Sequence, residues 1–293
     1  MKKIMLFLAV ACIMAACTND NEVLNEPQYI TEFKADFGAD TRMTAEASTA
    51  GLKFAWDDGD ILYVYNPEDE DDYYEYVYDL YDDKFYFDYS SKDNEGLTVN
   101  ESYFATSQIL YENSYTSVDG DFAVKTQLEY GDVSTIPLIS DLFLAKADGT
   151  IATMHHTVGV VEVPVKLGTG STISEPVDVA IEVESANVVG PFITTLDEPY
   201  FANATGDNEN YTSSSACQPA TLNESTPVSF FIPMLPGTYT NPTLSFYNEE
   251  YTTQVAAPVE LTGTSLTIEC GKITKLQETV TLTSSSGPSS GGK

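Results

Sequence analysis

The chain has 293 residues, of which 45 are acidic and 13 basic, giving a formal net charge of −32 at pH 7. Nucleic-acid binding needs basic patches that neutralise phosphates, so that class of partner is excluded. Hydrophobic residues make up 42% of the chain, too many for a disordered acidic tail and enough for two globular domains of ordinary size.

Met1-Lys2-Lys3 is a basic start, and the apolar run from Ile4 to Ala16 is too short to span a bilayer. Residues 1–16 are therefore expected to be a signal peptide outside the fold. The run ends Met14-Ala15-Ala16-Cys17, with polar Thr18-Asn19-Asp20 immediately after it. This resembles a bacterial lipoprotein signal, in which the cysteine is lipidated and becomes the mature N-terminus, although Met14 stands where leucine is more usual. Cys12 would leave too short an apolar region and is read as part of it. Residues 17–27 then form a lipidated tether ending at Pro27. A multi-acyl anchor holds far more firmly than a single chain, because each buried methylene contributes about 0.8 kcal/mol. In the oxidising compartment this implies, Cys217 and Cys270 are free to pair, yet a disulfide and two buried thiols both fit the sequence.

The remaining chain favours strands, with 19 Tyr, 14 Phe and recurrent Val and Thr. From Gln28 the pattern alternates, placing Tyr29, Thr31, Phe33, Ala35 and Phe37 on one face and Ile30, Glu32, Lys34 and Asp36 on the other. Gly38 to Arg42 follows as a small polar loop, which is easily cut when exposed. Segment 28–42 is thus either an ordinary first strand with its loop or a removable plug. Leu52 to Trp56 and Ile61 to Tyr65 are expected strands around an Asp57-Asp58-Gly59-Asp60 turn, ended by Asn66-Pro67. Residues 68–83 interleave carboxylates with tyrosines. A calcium site lacks the EF-hand spacing and glycine there. A tyrosine-lined glycan surface is a second reading, and a solvated acidic loop with tyrosines packed beneath it and an adjoining strand is the plainest.

Further strands are expected at Phe85 to Tyr89, Ser102 to Leu110, Phe122 to Leu128 and Ile136 to Lys146. A domain boundary is expected near Asp148-Gly149, giving domains at 28–150 and 151–283. In the second, Val161 to Leu167 contains Pro164, which suggests an edge or a bulge. Val177 to Glu184 alternates cleanly, and Val228 to Ile232, Thr243 to Tyr247, Tyr251 to Ala256 and Ser265 to Cys270 follow. Ile273 to Leu282 is a last strand candidate, and 284–293 a serine- and glycine-rich tail. Short, regular strands with little helix imply an all-β fold of sandwiches.

Catalytic patterns are missing. His155 and His156 are neighbours that would point to opposite faces of a strand, with no HExxH partner pattern, so they are expected to be structural and no metal is expected. No G-x-S-x-G or phosphate-cradling glycine loop occurs. With 45 acidic residues, paired carboxylates arise by chance. No enzyme and no cofactor is expected.

Taken in order, several pieces resemble the fimbrillin-like family, the type V pilins of Gram-negative anaerobes. They are the lipoprotein Cys17, a first strand ending in Thr41-Arg42, Trp56-Asp57-Asp58-Gly59-Asp60-Ile61 leading into Val64-Tyr65, His155-His156 before a Val-rich strand, Gly190-Pro191-Phe192, Ile232-Pro233 with Pro236-Gly237-Thr238-Tyr239, and Gly271-Lys272-Ile273. The resemblance implies two tandem transthyretin-like β-sandwich domains and export as an outer-membrane lipoprotein lipidated at Cys17. It also implies proteolysis between Arg42 and Met43 and polymerisation with other pilin subunits into surface fimbriae by donor-strand exchange. The family's stalk subunits donate a C-terminal extension, whereas this chain offers only Ile273 to Leu282 before its tail, which suits a tip or accessory subunit or one whose first strand is never removed. The rival expectation is a monomeric surface lipoprotein that binds host glycans or proteins.

Overall fold

The structure is a computed structural model that describes residues 28–37, 55–90, 96–110, 115–118, 121–128, 133, 136–184, 186–196, 202–204, 220–250 and 252–283. Among these there is no α-helix. In the first half the strands are β1 (Tyr29–Ile30), β2 (Glu32–Phe37), β3 (Ile61–Asn66), β4 (Asp69–Asp79), β5 (Lys84–Phe87), β6 (Leu97–Thr98), β7 (Ser102–Thr106), β8 (Tyr115–Val118), β9 (Asp121–Leu128), β10 (Leu138–Ser140), β11 (Phe143–Leu144) and β12 (Ile151–His156). In the second they are β13 (Gly159–Leu167), β14 (Val177–Glu182), β15 (Gly190–Thr195), β16 (Ala202–Ala204), β17 (Val228–Met234), β18 (Gly237–Thr240), β19 (Thr243–Asn248), β20 (Gln254–Glu260), β21 (Ser265–Ile268), β22 (Ile273–Lys275) and β23 (Val280–Leu282).

The first sheet runs β10-β12-β2-β5-β4-β3-β7-β11, and β10 returns to β7 through the single pair Ile139↔Thr106, so the sheet closes on itself. Its core is aromatic, with Phe33, Tyr76, Phe85, Phe87 and Tyr103 at the centre. β4 corrects the expected acidic loop. It is an 11-residue strand in which Tyr76 and Tyr78 are buried while Glu75, Val77 and Asp79 keep partial exposure. Alternation of period two sorts tyrosines inward whatever the charge density between them, and charge density is what suggested a loop. The Asp57–Asp60 turn is present, with Gly59 at φ 92° and the Asp60 N–H bonded to the Asp57 carbonyl. It leads into β3 and is bonded to the end of β4, since Gly59 N–H donates to Tyr78 O and Tyr78 N–H to Asp60 O. Residues 55–57 are not strand.

In the second half, β13 lies between antiparallel β17 and parallel β22 and β23, and β14-β19-β20 forms the facing sheet. The two share a core of Val163, Val165, Val179, Ile181, Leu244 and Phe246. Pro164 is at neither an edge nor a bulge: it pairs with Ser229 inside the β13–β17 ladder. On its other side β22 pairs with Val160 to Glu162 and β23 with Val165 to Leu167, so the partner strand is interrupted where proline has no N–H to give. Val177 to Glu182 is less amphipathic than expected, because Asp178 and Ala180 are buried as well as the valines.

Among the described residues, three strand pairings cross residue 150. β12 joins the first sheet beside β2 and β10, and β9 of the first half pairs with β15 of the second. The chain therefore leaves the first sheet after His156.

Candidate functional site

Of the segment singled out from the sequence, β2 is seated in the middle of the first sheet, while β1 forms a separate two-stranded ladder with β6. β2 is antiparallel to β5 (Glu32↔Tyr86, Phe33↔Phe85) and parallel to β12 (Lys34↔Ile151 through Phe37↔Met154). β1 pairs with β6 through Tyr29↔Thr98 and Ile30↔Leu97. Ladder-side bonds continue past the strand ends: Phe87 N–H donates to Thr31 O at 2.9 Å, Lys34 N–H to Thr150 O at 3.2 Å and Val99 N–H to Gln28 O at 2.9 Å.

One detail of the expected pattern changes at Thr31. Phe33 and Ala35 are buried and Phe37 half-buried, but upstream it is Ile30 that is buried while Thr31 is exposed. The phase slips because β1 and β2 pair with different strands, and Thr31 is the joint between them.

Aromatic rings form the floor of this seat. Phe33 meets Tyr76 edge-on with centroids 4.8 Å apart and lies 5.8 Å from both Phe85 and Phe143. Phe37 stacks on Trp56 at 5.0 Å and on His156 at 5.8 Å. Two side chains hold the strand's backbone from the side: the Tyr76 hydroxyl donates to Ile30 O at 2.5 Å, and Trp56 Nε1–H donates to Ala35 O at 3.0 Å. Tyr76 is buried, which pushes its phenol up from the ordinary value and keeps it a donor. Two ion pairs close the outward rim. Glu32 meets Lys84 at 2.6 Å, and Lys34 meets Asp83 at 3.1 Å. Asp83 also accepts from the Tyr78 hydroxyl at 3.0 Å. The Lys34 bond, then the Tyr78 bond, hold its carboxyl below the usual carboxylate range. Phe33 and Ile30 are each the kind of side chain whose burial stabilises by roughly 1.5–3 kcal/mol.

Of the residues singled out for processing and lipidation, Cys17, Arg42 and Met43 lie outside the described residues, as does Cys217. Cys270 is half-buried, and its thiol lies 3.3 Å from the Thr157 carbonyl. His155 and His156 do face opposite ways on β12: His155 Nε2 is 3.0 Å from an Asp141 carboxylate oxygen, whereas His156 is buried against Phe37. The Ile273 to Leu282 segment is docked within its own half of the molecule, with Leu276, Val280 and Leu282 buried in the second core. Sequence reasoning missed Trp56, Gly96, Asp83 and Lys84 as parts of the seat. Only Trp56, as the single tryptophan, carried any signal.

Comparison with solved structures gives a match to a protein assigned to cell adhesion from Bacteroides uniformis, with TM-score 0.50, 12% identity and coverage of 86% of this chain and 93% of that one. The fold is shared with that protein. A second cell-adhesion protein, from Bacteroides ovatus, matches with TM-score 0.48, 12% identity and coverage of 85% and 92%. A fimbrial protein from Bacteroides ovatus matches with TM-score 0.40 and 12% identity over 88% of this chain and 51% of its own length. No protein-family model and no curated protein matches the sequence.

Proposed function

We propose that this chain is a structural or adhesive subunit of a surface fimbrium of the fimbrillin-like type, built on transthyretin-like sandwiches and without catalytic activity. In this reading it is exported as an outer-membrane lipoprotein through Cys17 and cut between Arg42 and Met43. It then assembles when an extended segment of another subunit takes the seat of β1 and β2. The observation that carries the reading is the place of β2, with ladders on both sides and Phe33 among the core aromatics. Once that strand left, two rows of backbone groups and an apolar floor would face water, and a donated strand restores both. The fold held in common with a protein assigned to cell adhesion supports it. So does the presence of a single arginine in the whole sequence, Arg42, because an arginine-specific protease then has one target.

A second reading, a monomeric surface binder, is favoured by Leu80 and Tyr81. They stand 60% and 95% exposed on a turn whose Tyr81 and Asp82 N–H groups both donate to Asp79.

N-terminal sequencing of protein sheared from cells separates the two. A fimbrial subunit yields chains that begin at Met43 and run as heat-sensitive multimers, and Arg42→Ala abolishes both. If every molecule keeps residues 17–42 and runs as one species, the monomeric binder stands instead.

A further inference from the structure

The inward face of β2 does not by itself fix how an incoming strand is aligned. Alternation has a period of two, so a shift of one residue would turn Phe33 and Ala35 outward, whereas a shift of two keeps apolar side chains pointing in. The outward face removes that ambiguity. Its exposed residues Glu32, Lys34 and Asp36 alternate in sign, and among the described residues Glu32 and Lys34 make ion pairs with Lys84 and Asp83, a cation beside the acid and an anion beside the base. Moving the strand by two residues one way puts Lys34 beside Lys84 and Asp36 beside Asp83. Moving it the other way puts Glu32 beside Asp83. Both shifts replace attraction by repulsion between close neighbours on one sheet face.

Both partners sit on backbone that does not depend on the strand. Lys84 is the first residue of β5 and pairs with Asp79 of β4. Asp83 sits at φ 54°, a left-handed position that aspartate tolerates, and receives the Tyr78 hydroxyl. An emptied seat would keep this pair of charges.

Resting on the strand-exchange reading above, we infer that Lys84 and Asp83 form a register code. The strand this subunit accepts carries an acid followed two residues later by a base on its outward face, and large-small-large apolar residues on its inward face. The charges choose the partner and its alignment, while the aromatic floor supplies the affinity. The occupant is an extended segment of a different subunit. In this chain Lys275 is preceded two positions earlier by Ile273, its strand is already docked on β13, and residues 284–293 hold no large apolar side chain.

The test uses the folded full chain, nicked after Arg42 by an arginine-specific protease, and fluorescent peptides spanning residues 28–37. One peptide has the native sequence, one carries Glu32→Lys with Lys34→Glu, and one carries Glu32→Lys alone. The native peptide is expected to displace the nicked strand about tenfold better than the doubly reversed one, with the gap closing at high salt as exposed pairs are screened. A Lys84→Glu subunit is expected to prefer the Glu32→Lys peptide over the native one. Equal uptake of all peptides by both subunits overturns the register code and leaves strand exchange standing. Uptake of none by either subunit overturns strand exchange, and the code with it.

Discussion

Gly96 leaves no room for a side chain. A Cβ there would lie 2.1 Å from the Ile30 carbonyl oxygen and 3.2 Å from the Tyr76 hydroxyl, the two atoms that bond to pin β1. Since the nearer obstacle is backbone, Gly96→Ala must push β1 aside and part the Tyr76–Ile30 bond. The expected cost is about 1–3 kcal/mol, typical of overpacking, read as a lower midpoint in denaturant unfolding. A midpoint equal to wild type would mean that β1 adds nothing to the fold. In sequence, Gly96 lies between the strands expected at Phe85 to Tyr89 and Ser102 to Leu110, with nothing to mark it as indispensable. The atom that makes this glycine necessary belongs to a residue 66 positions earlier in the chain, Ile30, which no local pattern can reveal.

At the scale of the strand, β2 is held partly by a titratable contact. The Asp83 carboxyl is lowered in the folded protein by Lys34 and then Tyr78; with β2 absent the Lys34 bond is lost and the Tyr78 bond remains, so it rises toward its ordinary value of 3.8. A lowered folded value means the contact is fully present above that ordinary value and is lost as pH falls through the folded one. Dissociation of the nicked strand should therefore be steady from about pH 8 to about pH 5 and accelerate toward about pH 3. Asp83→Asn should blunt the acceleration; an unchanged profile in that variant would assign the acid effect to other groups. β2 was legible as a strand because Phe33, Ala35 and Phe37 alternate with Glu32, Lys34 and Asp36. Its placement between β5 and β12 was not, since the β12 pairing is parallel and joins residues more than a hundred positions apart.

Over the whole molecule, buried tyrosine is the recurrent building unit of the first core. Burial, with help from the Asp83 bond, pushes Tyr78 up to about 12, and burial pushes Tyr103 up to about 12. Burial also raises Tyr65, Tyr76 and Tyr239. A raised folded value favours the neutral phenol, so this stability is complete below the ordinary value of 10.0 and is lost as pH rises through the folded values. Alkaline titration should show a first step in phenolate absorbance before these buried phenols ionise. A second step in phenolate absorbance should then coincide with loss of the β-sheet circular dichroism signal. A single step near 10 with the sheet intact would show that burial does not protect these phenols. In the proposed assembly a net charge of −32 would make subunits repel one another broadly, so cohesion would have to come from a short, dry, ladder-bonded contact such as the seat of β2.

Composition and period-two alternation sufficed for an all-β chain, for most strand positions and for the prominence of residues 28–37, because a half-buried strand writes its two faces directly into the order of residues. The tertiary structure decided what alternation leaves open. It turned the acidic tyrosine segment into a core strand, broke the partner of Pro164, brought β12 beside β2, and set Lys84 and Asp83 against Glu32 and Lys34. Each of these depends on which distant strand lies alongside, a matter of closing a sheet in three dimensions, where a residue's neighbours are chosen by burial and ladder bonding and not by sequence distance.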